Sequence, residues 1–375
     1  TASEFLCNWI QEPNGTNLHY DAIYNRTCSS HVPSTGKTIS LESVHFWGKP
    51  IWKGHYWPNG GLKYPDYFYN SVPKNVFYMH IANNAVIINS GEIFTNDMKL
   101  APFGCNPNLD PIPPRDYGNS PIYDEVFIIS QHWGNTYFHK MLEDLPRLAP
   151  YLEFLQNNTQ IRIHVQDLNC HTMDIIEFIG LDPSRLVMGT IRAKIVYLPQ
   201  ATPCGFPNVQ ETQILSQIFR EKLVHLHGKQ KQNYIIYIQR TFSRQMVRRL
   251  QIWSLLINLA KEYNLTFEIF PDFPSQPLID TMIMFNKAKL IVAPHGAGLS
   301  NIIYSEPGTY IIEGICNRPH VNLCYQRAAH ILGHHYHAIP SRNPVGCEIV
   351  IDIDEVEIER VARVYLKLGA NNLDS

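Results

Sequence analysis

Residues 291–315 read IVAPHGAGLSNIIYSEPGTYIIEGI, and this stretch decides how the rest of the chain folds. Its apolar opening has the length and β-branched content of a buried strand. It then breaks into His295-Gly296-Ala297-Gly298, restarts as a helix from Leu299 to Tyr304, and becomes a second apolar strand carrying Glu313. Strand, small-residue turn and helix N-terminus together leave backbone N–H groups and the positive end of a helix dipole where a phosphate can sit. Gly296 and Gly298 have no Cβ to keep an anion off the backbone, and His295 stands at the strand end, where α/β sheets bind ligands. The same glycines would also suit a plain tight turn.

A second anion feature lies about fifty residues earlier. IIYIQRTFSRQMVRR, residues 235–249, puts Arg240 at the C-terminal end of a strand and Arg244 in the following loop. Arginine supplies the planar, bidentate donors that a pyrophosphate needs. Arg248 and Arg249 suit a solvated helix surface better. Together, Arg240 and the His295–Leu299 loop describe a nucleotide-diphosphate site.

Outward from these motifs the chain alternates. Residues 211–227 read as a helix, 233–240 as a strand, 248–263 as a helix, 265–270 as a strand and 276–288 as a helix, leading into the strand at 289–294. Upstream of a break at PQATPCGFPN, residues 199–208, a similar pattern runs through strand 125–130, helix 135–155, strand 161–166, helix 171–181 and strand 193–199. Pro146 should kink or divide the helix at 135–155. Residues 76–94, VFYMHIANNAVIINSGEIF, alternate like paired strands. The expectation is an α/β chain with an irregular, disulfide-tied layer at 1–75 and doubly wound domains at 76–203 and 204–350. A last helix within 351–375 should pack back on them.

A third constellation, NTYFHKMLEDLPRL at residues 135–148, sets His139 and Glu143 four residues apart, on one helix face. Such a pair suits general-base catalysis on a hydroxyl, though it equally describes an ordinary surface pair. Two patterns are weaker. Asp352-Ile353-Asp354 resembles a metal-binding Asp-x-Asp, but it precedes a strong helix that Asp354 can cap. His330 and His334 have zinc-like spacing without the Glu of a His-Glu-x-x-His motif, and Gly333 interrupts the helix between them.

Composition narrows the partners. The chain has 375 residues and a formal net charge of -2, long enough for two cores and without the basic excess of a nucleic-acid protein. Sequons at Asn14, Asn25, Asn157 and Asn264, with an even eight cysteines of which Cys7 and Cys28 flank an N-terminal loop, point to a disulfide-permissive lumen. The chain opens on TASEFLCNWI and has no run of about 20 apolar residues, which fits a mature ectodomain whose membrane anchor lies outside it.

The three segments NTYFHKMLEDLPRL, YIQRTFSRQMVR and APHGAGLSNIIYSEPGTYIIEG, followed by NLCYQRAAHILGHHYHAI, resemble glycosyltransferase family 61 over about residues 125–340. The resemblance implies a GT-B fold, two Rossmann-like domains facing a cleft, and an inverting enzyme of the secretory pathway, Golgi rather than endoplasmic reticulum. It further implies a UDP-sugar donor, a glycan or glycoprotein acceptor and no cofactor or metal. By motif, Arg240, Arg244 and the loop His295, Gly296, Ala297, Gly298 and Leu299 would hold the diphosphate, Glu313 the ribose, and His139 and Glu143 the acceptor. Similarity to xylosyl-transferring members favours UDP-xylose. UDP-N-acetylglucosamine is the competing donor, and a glycan-binding relic without turnover is the competing class.

Overall fold

In the computed structural model the described residues are 10–11, 79–94, 99–100, 118–199, 202, 204–271, 276–316, 322–343 and 349–371. The layer expected at 1–75, with Cys7, Asn14, Asn25 and Cys28, lies outside them except for residues 10–11. The chain divides into two compact units, and the described part changes unit between Leu215 and Ser216. The division expected after residue 203 therefore falls some twelve residues later, inside the helix Val209–His227.

The first unit is built on one sheet of strands β1 (Ile10–Gln11), β2 (Met79–Ile87), β3 (Ile93–Phe94), β4 (Lys99–Leu100), β5 (Ile122–Ile128), β6 (Arg162–His164), β7 (Leu186–Val187) and β8 (Ile191–Pro199). They lie in the order β1-β4-β3-β2-β8-β5-β6-β7. From β8 to β7 the neighbours are parallel, and from β8 through β2 to β1 they are antiparallel. Alternation at residues 76–94 thus marks real strand pairing, whereas the doubly wound expectation holds only for the half containing β5 to β8. Ile87, Ile93, Val126, Ile128, Ile191 and Val196 form the core against this sheet.

The segment at residues 135–155 departs furthest from a single α-helix. It runs as a short α-helix Tyr137–His139, a π-helix Lys140–Asp144, a 3-10 helix Leu145–Tyr151 and an α-helix Leu152–Asn157. Pro146 and Pro150 explain the change of register. Neither has an N–H, and each ring would clash with the carbonyl four residues back, so the α ladder cannot cross this region. Widening before Pro146 and tightening after it keeps the chain helical.

The second unit carries strands β9 (Tyr234–Gln239), β10 (Gln245–Met246), β11 (Thr266–Pro271), β12 (Ala288–Pro294), β13 (Tyr310–Ile315), β14 (His335–Pro340) and β15 (Val350–Ile351). Five of them form an all-parallel sheet in the order β11-β9-β12-β13-β14, while β10 and β15 pair separately. Numbered within the sheet this is 2-1-3-4-5, a doubly wound order. Strands β12 and β13 are buried almost throughout, as parallel strands covered on both faces must be. The last helix, Glu355–Asn371, contributes Ile358, Val361, Ala362 and Tyr365 to this unit's own core, beside Leu256 and Leu259.

Candidate functional site

In each unit the chain order reverses across one strand pair, β5/β8 in the first and β9/β12 in the second. Loops leaving the carboxyl ends of such a pair diverge to opposite faces of the sheet and open a crevice, the usual ligand site of this architecture. The predicted catalytic and nucleotide residues lie in or beside these loops, except Glu313, which lies within β13.

In the second unit the two anion motifs meet. Arg240 follows β9, and His295 follows β12, its immediate partner in the sheet. A Cβ on Gly296 would stand 2.7 Å from Arg240 Nη1, so the guanidinium lies close against the loop in the space that a side chain here would need. A Cβ on Gly298 would instead stand 2.8 Å from Ile238 Cγ2 of β9. Arg240 donates from Nε to the Ser243 carbonyl (3.2 Å) and from Nη2 to Ser243 Oγ (2.7 Å), and Arg244 Nη1 donates to the His295 carbonyl (3.4 Å). Arg244 itself takes φ 54°, a left-handed conformation uncommon outside glycine. The helix expected from Leu299 starts earlier, as the 3-10 helix Ala297–Tyr304, with Leu299 N–H bonded to the Gly296 carbonyl (3.0 Å). Leu299 is fully buried beneath it.

Glu313, the residue that the resemblance gives to the ribose, lies inside the second unit. It is fully buried, one oxygen accepts from His295 Nδ1 at 2.5 Å, and the other accepts from the Tyr336 hydroxyl. The reason lies in register. Glu313 stands opposite Ala293 in the β12–β13 ladder, one strand over from the residue that leads to His295, and β14 brings Tyr336 from the other side. The Tyr325 ring packs edge-on against His295, with centroids 5.2 Å apart. His295 is thus oriented by a carboxylate and an aromatic ring.

The first unit holds a second pair of the same kind. Glu143 Oε2 accepts from His139 Nδ1 at 2.7 Å and from Gln131 Nε2 at 2.6 Å, and Oε1 accepts from the Gly205 N–H at 2.6 Å. The Glu143 side chain is 0% exposed and that of His139 is 18%. Three donors and complete burial make Glu143 a holder rather than a group open to a substrate hydroxyl. An imidazole that gives its Nδ1–H to a carboxylate keeps its basicity at Nε2. The sequence had put both residues here without dividing their roles, and it gave no sign of Gln131 or Gly205, which reach Glu143 from the loops after β5 and β8.

Buried charge backs this pair. Arg147 donates to the carbonyls of Ile129 and Pro199 (3.1 and 3.5 Å), one at each strand end of the β5/β8 crevice. Burial lowers its pKa, pushes Asp144 well above the carboxylate range, and raises Glu211 to about 8 against the opposing pull of Arg147. A Cβ on Gly134 would stand 2.1 Å from Asp144 Oδ2, which fixes glycine in the loop after β5.

The weaker motifs find structural employment. Asp354 caps the last helix through the Val356 N–H (3.0 Å), and Asp352 accepts from Arg248 and Arg342 (3.0 and 2.9 Å), while Arg248 also binds Glu355 (2.9 Å). Buried His334 donates from Nε2 to the Ile302 carbonyl (3.0 Å), and burial holds its pKa near 3. Among the described residues there is no group of three His, Cys, Asp or Glu that could hold a metal ion, and no helix is long and apolar enough to cross a membrane. Cys204 and Cys316 are disulfide-bonded, whereas Cys170 is an exposed and Cys324 a buried free thiol. Asn157 and Asn264, with Thr159 and Thr266 of their sequons, are all exposed.

No curated protein matches the chain. Among solved structures, a 5,10-methylenetetrahydrofolate dehydrogenase from the silkworm Bombyx mori aligns at 14% identity over 68% of this chain and 90% of that one, with a TM-score of 0.20, too low to bear on fold or function. The family model described as Glycosyltransferase 61 matches residues 137–312, a span that begins at the His139–Glu143 helix and ends one residue before Glu313. Over those residues the chain is similar to glycosyltransferase family 61.

Proposed function

We propose that the protein is an inverting, metal-independent glycosyltransferase that moves a sugar from a UDP-sugar, with UDP-xylose favoured, to a hydroxyl of a glycan or glycoprotein. The observation that carries this reading is the convergence of Arg240 and the His295–Gly298 loop at the switch point of a 2-1-3-4-5 sheet. There the diphosphate would take charge-assisted bonds from Arg240 and Arg244 and backbone N–H bonds from the loop. These groups stabilise the negative charge that grows on UDP as the glycosidic bond breaks. His139, its ring fixed by Glu143, would take the proton of the acceptor hydroxyl as that oxygen attacks the anomeric carbon from the opposite face. Exposed sequons and the disulfide-bonded Cys204 and Cys316 support a secretory-lumen setting, and the Golgi is our assignment.

A thermal-shift panel of UDP, UDP-xylose, UDP-N-acetylglucosamine, UDP-arabinose and GDP-mannose, with and without EDTA, tests the proposal. A ligand at 100 times its dissociation constant adds about 2.7 kcal/mol of stability. UDP and one UDP-sugar should raise the melting temperature equally well in EDTA, and Arg240→Ala should abolish both the shift and transfer. Silence toward every nucleotide would instead favour the glycan-binding relic.

A further inference from the structure

Several residues of the loop after β5 have a visible structural task. Gln131 holds Glu143, Gly134 makes room for Asp144, the Asn135 N–H is bound by Gln166 Oε1 (3.0 Å), and Thr136 closes the loop by donating from N and Oγ1 to the Trp133 carbonyl (2.8 and 2.9 Å). Trp133 stands out by its side chain, although its carbonyl accepts both Thr136 bonds. Its backbone sits at φ 68°, and its side chain is 48% exposed, with its ring edge-on to His132 at 4.9 Å. A left-handed conformation at a bulky residue costs about 1–3 kcal/mol and persists where the surroundings over-determine it, typically at a ligand clamp. Here the fold bears that cost and receives no buried indole in return. The next element after the loop is the helix bearing His139, whose first residue, Tyr137, directly follows Thr136.

We infer that Trp133 is the stacking platform for the acceptor, and that the acceptor group it receives is a sugar ring rather than a peptide side chain. This rests on the transferase reading above. A pyranose presents a flat C–H face ringed by hydroxyls. The indole offers the matching flat apolar face, and the adjoining Asn135 and Thr136, both exposed, together with His132 offer polar groups for the rim. A rigid loop also suits the task, because a preorganised platform loses little entropy on binding.

The test uses the full chain and its Trp133→Ala, Trp133→Phe and Trp133→Gly variants, with a fluorophore-tagged mannose-core N-glycan as acceptor probe and UDP as nucleotide probe. Glycan binding is read by saturation-transfer NMR with and without UDP, and acceptor KM is read with UDP-xylose. Trp133→Ala should weaken the glycan about tenfold, the loss of one stacked contact, while leaving the UDP thermal shift intact. Trp133→Phe should recover most of the affinity. Trp133→Gly should melt no lower than wild type, and up to about 2 °C higher, because glycine takes φ 68° without strain. Equal glycan signals from wild type and Trp133→Ala would overturn the inference, as would a wild type that does not bind the glycan, or a Trp133→Gly variant that melts several degrees lower. A wild type that ignores UDP yet binds the glycan through Trp133 would sink the transferase reading and leave the inference standing.

Discussion

The two units each hold a histidine by its Nδ1 on a fully buried glutamate, yet they assemble the pair in opposite ways. His139 and Glu143 are four residues apart on one widened helix. His295 and Glu313 are eighteen apart, brought together by two parallel strands. The first pair is local and is then secured by long-range donors, Gln131 and Gly205. The second is long-range from the start and is fixed by sheet register. Similar chemistry with different supports means that the two histidines can be told apart by what each variant breaks.

The largest effect should come from the histidines themselves. His139→Ala should lower kcat by about 10²–10⁴-fold with UDP affinity nearly unchanged, the mark of a lost general base. His295→Ala should instead weaken UDP by about tenfold or more, since it removes one polar contact to a charged ligand. Steady-state kinetics beside UDP titration separates the two, and a common loss of UDP affinity would erase the distinction drawn here.

Removing the holders should sharpen the contrast in stability. Glu143→Ala leaves three buried or half-buried donors without their acceptor and should cost about 3 kcal/mol or more, whereas Glu313→Ala leaves two and should cost about 2 kcal/mol. Urea unfolding measures both, and the reverse ranking would mean that sheet register matters less than argued. The glycines divide likewise. Gly298→Ala drives a methyl into Ile238 and should cost about 1–3 kcal/mol, while Gly296→Ala meets only the far end of Arg240 and should weaken UDP with less than about 1 kcal/mol lost in unfolding.

The smallest effect is one of pH. Burial raises Glu211 from 4.5 to about 8, so between those values the folded state keeps a proton that the unfolded chain has lost. That contribution is complete below pH 4.5 and is lost as pH rises through 8. His164 and His171, lowered by burial to about 4, act oppositely, since acid below 6.5 protonates them in the unfolded chain first. Stability of the first unit should therefore fall by about 1 kcal/mol or more from pH 7 to 8, with Asp144, also raised by burial, acting in the same direction. Glu211→Gln should flatten that alkaline limb, and an unchanged limb would assign it to another group.

How much of this was legible in the sequence follows the same divide. Periodicity exposed the helix–strand alternation of the second unit and the proximity of His139 to Glu143, because both are local properties of the chain. It did not expose which strands are neighbours, so the bond between Glu313 and His295 could not be read from it, and Tyr336 passed unnoticed as a strand residue. Placing Glu313 opposite Ala293 in a parallel ladder was the missing step, and only strand order supplies it. Gln131 and Gly205 carried no pattern of their own. The antiparallel half of the first sheet was hinted at by residues 76–94, but helix–strand alternation elsewhere pointed to a wholly parallel fold. The π and 3-10 turns were foreshadowed by Pro146, though a proline announces a break without saying how the backbone will bridge it.

Asn264 carries a practical consequence for anyone mapping glycans on this protein. It ends the helix Arg249–Glu262 at φ 53°, its N–H reaching the Lys261 carbonyl (3.4 Å) while the Leu265 N–H reaches Ala260 (2.8 Å), a Schellman turn closed by asparagine in the place glycine usually takes. Asparagine tolerates that backbone far better than glutamine. The customary Asn→Gln swap would therefore strain the turn whether or not a glycan is attached, and any loss of folded protein would be misread as a carbohydrate effect. Thr266→Val abolishes the same acceptor sequence from the neighbouring exposed strand position and leaves the turn untouched, so it is the cleaner genetic eraser of that modification.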